Sequence, residues 1–137
     1  MLRSAEAKHH MTVAPVTLTA GTGIFEAIKA LLERKISGAT VIDADNNVVG
    51  VISEMDCLKA ILAGTYHGDV GGTVGDYMTA EVESVDEGVS LLDVAQKLID
   101  GHRRRLPIVK EGKFVGQFSC RSILSAVVEF TETPKPD

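Results

Sequence analysis

Gly50-Val51-Ile52-Ser53-Glu54-Met55-Asp56-Cys57-Leu58-Lys59-Ala60 reads as a strand running directly into a helix. Val48, Val49, Val51 and Ile52 are apolar and β-branched, the type that packs well on a buried pleated surface. Ser53 stands where a helix N-cap belongs, and Glu54 and Asp56 put negative charge in the first turn, where the helix dipole favours it. Leu58, Ile61 and Leu62 then supply an expected apolar face. The corner returns as Gly116-Gln117-Phe118-Ser119-Cys120-Arg121-Ser122-Ile123-Leu124, with the glycine, the serine three residues on and the apolar face in the same places. The chain therefore reads as two copies of a unit that ends in a strand–Ser–helix corner.

The first copy opens at Met11. Val16 and Leu18 alternate with Thr17 and Thr19 as a short half-buried strand, Thr22 is an expected N-cap, and Ile24, Ile28, Leu31 and Leu32 form one helical face. Ser37-Gly38 ends that helix. Residues 39–42 predict a strand, 43–47 a polar turn, and 48–52 the returning strand. A helix from about Glu54 to Ala63 closes a β-α-β-β-α unit. The next stretch carries Gly64, Gly68, Gly71, Gly72 and Gly75 and reads as a turn-rich linker. Met78-Thr79 repeats Met11-Thr12, and Leu91, Ala95, Leu98 and Ile99 repeat the first helical face. The predicted division is an N-terminal segment 1–10, repeats at 11–63 and 78–130, a linker 64–77, and a frayed tail 131–137. A unit this small covers its own sheet poorly, so the two are expected to pack side by side.

The 137 residues are 45% hydrophobic but only 4% aromatic, so the core must come from Val, Ile, Leu and Ala, which suits layered α/β packing. A net charge of −5 argues against nucleic-acid binding by bulk attraction. No apolar run approaches the roughly 20 residues of a membrane span, and no signal-peptide pattern stands at the N-terminus, so a cytoplasmic protein is expected. Cys57 and Cys120 read as small packing residues of a reducing compartment rather than a disulfide. His9-His10 lack partners at metal-ligand spacing, so no metal site is predicted. None of the four histidines has a nucleophile at motif spacing, and no G-x-x-x-x-G-K-[ST] loop is present, so no enzyme is expected.

The Met-Thr openings, Ile36-Ser37-Gly38, Arg105-Leu106-Pro107-Ile108-Val109 and the two Gly-x-x-Ser corners together resemble the paired CBS domain, or Bateman module, over about residues 11 to 128. The resemblance implies an α/β (α+β) fold of two β-α-β-β-α repeats packed with pseudo-twofold symmetry. It also implies homodimers and an adenine nucleotide (AMP, ADP or ATP, with S-adenosylmethionine or NAD as further candidates) bound in clefts between repeats as a regulatory ligand. No cofactor is required.

Family sites draw on a Ser/Thr-x-x-Asp corner, and Ser53-Glu54-Met55-Asp56 matches it in full. A carboxylate accepts both ribose hydroxyls, and a serine hydroxyl at a helix N-terminus offers donors to a phosphate. Plain helix capping explains the same pair. Opposite this corner the resemblance places Ala80 to Val82 and Arg103-Arg104-Arg105-Leu106 around the base; the basic run His102-Arg103-Arg104-Arg105 reads equally as a phosphate clamp or as a solvated helix end whose cations complement the dipole. The second corner has Ser119, Arg121 and, where aspartate would stand, Ser122. Serine is shorter and uncharged, so this cleft, with Val13, Ala14, Ile36, Ser37, Gly38 and Ala39, is expected to be the weaker one. The function implied is a stand-alone regulatory module that signals to a separate effector protein or through its oligomer; the alternative is a dimerisation scaffold that binds no nucleotide.

Overall fold

The computed structural model describes residues 12–13, 16–67, 71–80 and 82–132. The elements are β1 (Thr12–Val13), β2 (Thr17–Leu18), α1 (Ile24–Arg34), β3 (Gly38–Ile42), β4 (Val48–Ser53), α2 (Glu54–His67), α3 (Val74–Tyr77), β5 (Val85–Asp86), α4 (Leu91–Asp100), β6 (Arg105–Lys110), β7 (Lys113–Ser119) and α5 (Cys120–Glu132). His9-His10, Met11, Ala14, Glu81 and residues 133–137 lie outside the described residues.

The chain divides into two compact units. The first is Val16–Val82, and the second joins Met1–Pro15 to Glu83–Asp137. In the first, β3 lies between β2 (parallel) and β4 (antiparallel); in the second, β6 lies in the same way between β5 and β7. Both show the expected β-α-β-β-α order, and both sheets shift register at the same place, between Val41 and Ile42 and between Ile108 and Val109.

Each sheet borrows an edge from the segment leading into the other repeat. β1 pairs antiparallel with β7, Thr12 opposite Gln117 and Val13 opposite Gly116. In the first unit, Val51 and Thr79 exchange both backbone hydrogen bonds, at 3.0 and 2.9 Å. This explains Gly50: a Cβ there would stand 2.7 Å from Met78 Sδ and 2.8 Å from the Thr79 carbonyl oxygen.

Segment 64–77 holds more structure than a linker. α2 continues to His67, and the α3 turn is closed by a capping box between Thr73 and Asp76. Val74 at its start is fully buried in the first unit's core.

The inward faces of α1 and α4 keep Ile24, Leu31, Leu91 and Leu98 of the expected faces but take in Ala27 and Val94 in place of Leu32 and Ile99. Ile24, Ala27 and Leu31 of α1 and Leu91, Val94 and Leu98 of α4 are buried, whereas Leu32 and Ile99 are exposed. On α2 the small residues Cys57, Ala60 and Gly64 face inward, and Leu58, Ile61 and Leu62 are exposed. Small side chains let a helix lie close to its sheet, so the larger ones point outward. Thr22 is not the N-cap. Gly23 is, and the Ile24 N–H donates to the Gly72 carbonyl at 3.1 Å. α1 ends in a left-handed Lys35 (φ 54°) and α4 at a left-handed His102 (φ 50°), each closing a Schellman turn. The hairpins differ: Asp43 organises the longer turn by accepting from the Asp45 and Asn47 N–H groups at 2.9 Å, while Glu111 (φ 52°) and Gly112 (φ 80°) make a two-residue type I′ turn.

Candidate functional site

The Ser53 corner forms because β4 runs into α2 without a loop. The Ser53 N–H and Oγ–H both donate to Asp56 Oδ2 at 2.9 Å, and the Asp56 N–H donates back to Ser53 Oγ at 3.2 Å. This is a reciprocal capping box. The Glu54 N–H donates to the Ser37 carbonyl at 2.9 Å, which ties the start of α2 to the residue before β3. The N–H groups of Ser53, Glu54 and Asp56 are thus all taken. Asp56 Oδ1 accepts from none of the described residues. Ser53 and Asp56 are half-buried, while Glu54 and Met55 are exposed. Behind the corner sits Cys57, buried and with its thiol pKa pushed up by desolvation and by the Asp56 and Glu54 charges. Such a thiol holds its proton more firmly, which suits packing and not nucleophilic attack.

The Ser119 corner repeats the scaffold without the charge. The Cys120 N–H donates to the Arg104 carbonyl at 3.0 Å, as Glu54 does to Ser37. The Ser122 N–H donates to Ser119 Oγ at 3.1 Å, and the two serine hydroxyls share a hydrogen bond of 2.9 Å. Among the described residues no carboxylate receives the Ser119 N–H. Cys120 is exposed, its Sγ 3.8 Å from the Arg103 carbonyl oxygen, and not the packing residue expected from sequence.

The structure thus gathers Ser53, Asp56, Ser37 and Ile36 in the first unit, and Ser119, Ser122, Arg103 and Arg104 in the second. Arg104 and Arg121 are exposed, Arg103 and Arg105 half-buried. The side chains of Ala39 and Leu106 are fully buried within the cores of their own units. Gly38 is likewise buried, Ala80 exposed and Val82 half-buried; Val13 is placed by its β1 pairing with Gly116. Sequence reading missed the carbonyls of Ser37 and Arg104, because a backbone acceptor leaves no residue-type signal. It also missed Glu83, whose carboxylate lies 2.7 Å from Lys97 Nζ.

Two strand-sandwiching units of one topology, each with a serine-capped corner, define a tandem repeat module. The CBS domain family matches residues 7–63 and 74–129, and the chain belongs to that family. It is 34% identical over 101 residues to the protein MJ1225 of Methanocaldococcus jannaschii, covering 74% of this chain and 35% of that one. It is 35% identical over 107 residues to a 17.7 kDa protein of Acidianus ambivalens, covering 77% and 63%. The chain therefore spans less than two thirds of the length of these relatives. Its fold is similar to that of CBSX2, a CBS-pair protein of Arabidopsis thaliana crystallised with AMP, with a TM-score of 0.84, 27% identity, and coverage of 93% of this chain and 99% of that one. No described helix is long and apolar enough to cross a membrane.

Proposed function

We propose that the chain is a regulatory module binding an adenine nucleotide, with the Asp56 carboxylate receiving the ribose hydroxyls and one ligand bound per chain. The observation that carries this reading is the Ser53–Asp56 corner, which holds a carboxylate at a helix start with one oxygen unused among the described residues. The similarity to a CBS-pair protein crystallised with AMP supports an adenosine ligand. AMP, ADP and ATP are the first candidates, S-adenosylmethionine and NAD the next. Arg103, Arg104 and Arg105 are proposed as the positive charge for the phosphates. The role is non-catalytic and intracellular, and the signal passes by population shift to an effector protein or to the oligomer.

A calorimetric and thermal-shift titration with these five ligands tests the proposal. Saturable binding of one of them at one site per chain, with a raised melting temperature, supports the sensor. No response to any of them in folded, ligand-free protein leaves the scaffold reading.

That second reading rests on its own observation. Phe25 and Leu92, Leu32 and Ile99, Leu58 and Leu124, Ile61 and Val127, and Leu62 and Val128 occupy equivalent positions in the two repeats, and all ten are exposed. Apolar residues kept outward in both copies fit a surface covered by a second copy of the chain. Homodimerisation is accordingly part of both readings. Sedimentation equilibrium checks it: Leu58→Glu with Leu124→Glu should yield a monomer of unchanged circular dichroism.

A further inference from the structure

We infer that residues 72–79 form a latch, a strap that docks on the first unit and is released from it as one piece, which sets the length of chain joining the two units. The strap is fastened at two places. At one, the Ile24 N–H donates to the Gly72 carbonyl at 3.1 Å, the Val74 N–H to the Thr22 carbonyl at 2.8 Å and the Gly75 N–H to the Ala20 carbonyl at 2.8 Å. At the other, the Val51 N–H donates to the Thr79 carbonyl at 3.0 Å and the Thr79 N–H to the Val51 carbonyl at 2.9 Å. Between them α3 packs against α2 and β4. The docking is backbone on backbone, and glycines permit it. A Cβ on Gly75 would stand 3.1 Å from the Ala20 carbonyl oxygen, Gly72 holds φ 110°, and Gly50 faces Met78 and Thr79.

The strap has the marks of a separable element. It puts a single fully buried side chain, Val74, into the core, while Gly72, Gly75, Asp76 and Thr79 are exposed and Thr73, Tyr77 and Met78 half-buried. A segment with few buried apolar groups opens below the free energy of global unfolding. The rest of the unit does not need it to hold together: the core cluster of the second unit, of the same topology, is built from β5, α4, β6, β7 and α5. The strap also carries its own fastening, since the Thr73 N–H and Oγ–H both donate to Asp76 Oδ2, at 2.9 and 3.2 Å. Release leaves the units joined by the chain from His67 to Val85 instead of from Thr79 to Val85, a longer and looser tether.

Native-state hydrogen exchange in low urea tests the latch on the amides of Ile24, Val51, Val74, Gly75 and Thr79, each of which donates across the strap's edge. All five should exchange through one opening. Its urea dependence should be about half or less that of the slowest amides of β3, because urea dependence scales with the surface exposed. Asp76→Ala removes the acceptor of both bonds from Thr73 at an exposed position, and it should speed all five by a common factor of about five, the loss of one helix cap. The inference is overturned if the five share the urea dependence of the slowest amides, since the strap then opens only with the whole unit. It is equally overturned if Val51 and Thr79 differ from the other three in urea dependence or do not respond to Asp76→Ala, since the two ends then open separately.

Discussion

The first unit has Ala27, Ala39, Ile52 and Cys57 where the second has Val94, Leu106, Phe118 and Ile123. The second fills its interior from its own sheet and helices. The first has smaller side chains at all four places, and Val74 of α3, with Tyr77 and Met78 packed alongside, fills the difference. Core volume is compensated because an unfilled cavity costs free energy wherever it opens. The corners are not compensated. Asp56 has become Ser122, and among the described residues nothing else in the second unit supplies a carboxylate to Ser119. The comparison separates what folding requires of both copies from what only one of them keeps.

The largest effect should come from breaking the fuller core. Phe118 is fully buried, and Phe118→Ala should lower the unfolding free energy by about 3–5 kcal/mol in urea denaturation. Val74→Ala should cost less, because a valine loses fewer buried carbons. If Val74→Ala costs as much as Phe118→Ala, the account of α3 as a modest volume supplement is wrong.

Making the corners alike tests the other half of the comparison. Asp56→Ser gives the first corner the second's residues, and nucleotide affinity should fall about ten- to a hundredfold, the range of a charged hydrogen bond. The same change removes the carboxylate from the capping box, so about 1 kcal/mol of stability should go with it. The reverse change, Ser122→Asp, should raise the calorimetric stoichiometry above one. A stoichiometry that stays at one would show that more than residue 122 separates the two corners.

Gly50→Ala should cost about 1–2 kcal/mol. Its Cβ meets the flexible Met78 side chain but also the fixed Thr79 carbonyl oxygen, an overpacking by one methyl. Gly21, whose Cβ would meet nothing within 4 Å, is the control and should tolerate alanine.

How much of this was legible in sequence follows from where each signal resides. The repeat, the β-α-β-β-α element order and the serine cap where strand meets helix depend on residue type at fixed spacing, and the structure shows all three. The helix faces are legible only in part, because Leu32, Leu58 and Ile99 are apolar yet outward, and hydrophobicity alone does not distinguish a core position from an exposed one. Residues 74–77 read as linker because Gly71, Gly72 and Gly75 around Val74 signal turns, whereas the burial of Val74 depends on core residues far away in sequence. The edge exchange between Thr79 and Val51 was hidden for the same reason: only Gly50 announced it, and a glycine announces many things.

The smallest effect concerns an ion pair that the second unit alone possesses. Lys97 Nζ lies 2.7 Å from Glu83 Oε1, and the equivalent positions in the first repeat are Ala30 and Val16. The hydrogen bond to Lys97 lowers the Glu83 pKa from its ordinary 4.5, and the bond to Glu83 raises the Lys97 pKa from 10.5. A depressed carboxylate contributes stability above its unfolded pKa and loses it as pH falls through the folded value. A raised ammonium contributes below its unfolded pKa and loses it as pH rises through the folded value. The pair therefore helps between the two ranges and fades at both ends. Both groups are exposed, so solvent and salt screen the attraction. Glu83→Gln should flatten the melting temperature profile slightly below about pH 5, where wild type is losing the same interaction, and lower it slightly at neutral pH. Added salt should shrink the neutral-pH difference. A difference that survives at 1 M salt would mean that Glu83 acts through packing of the segment before β5 and not through its charge.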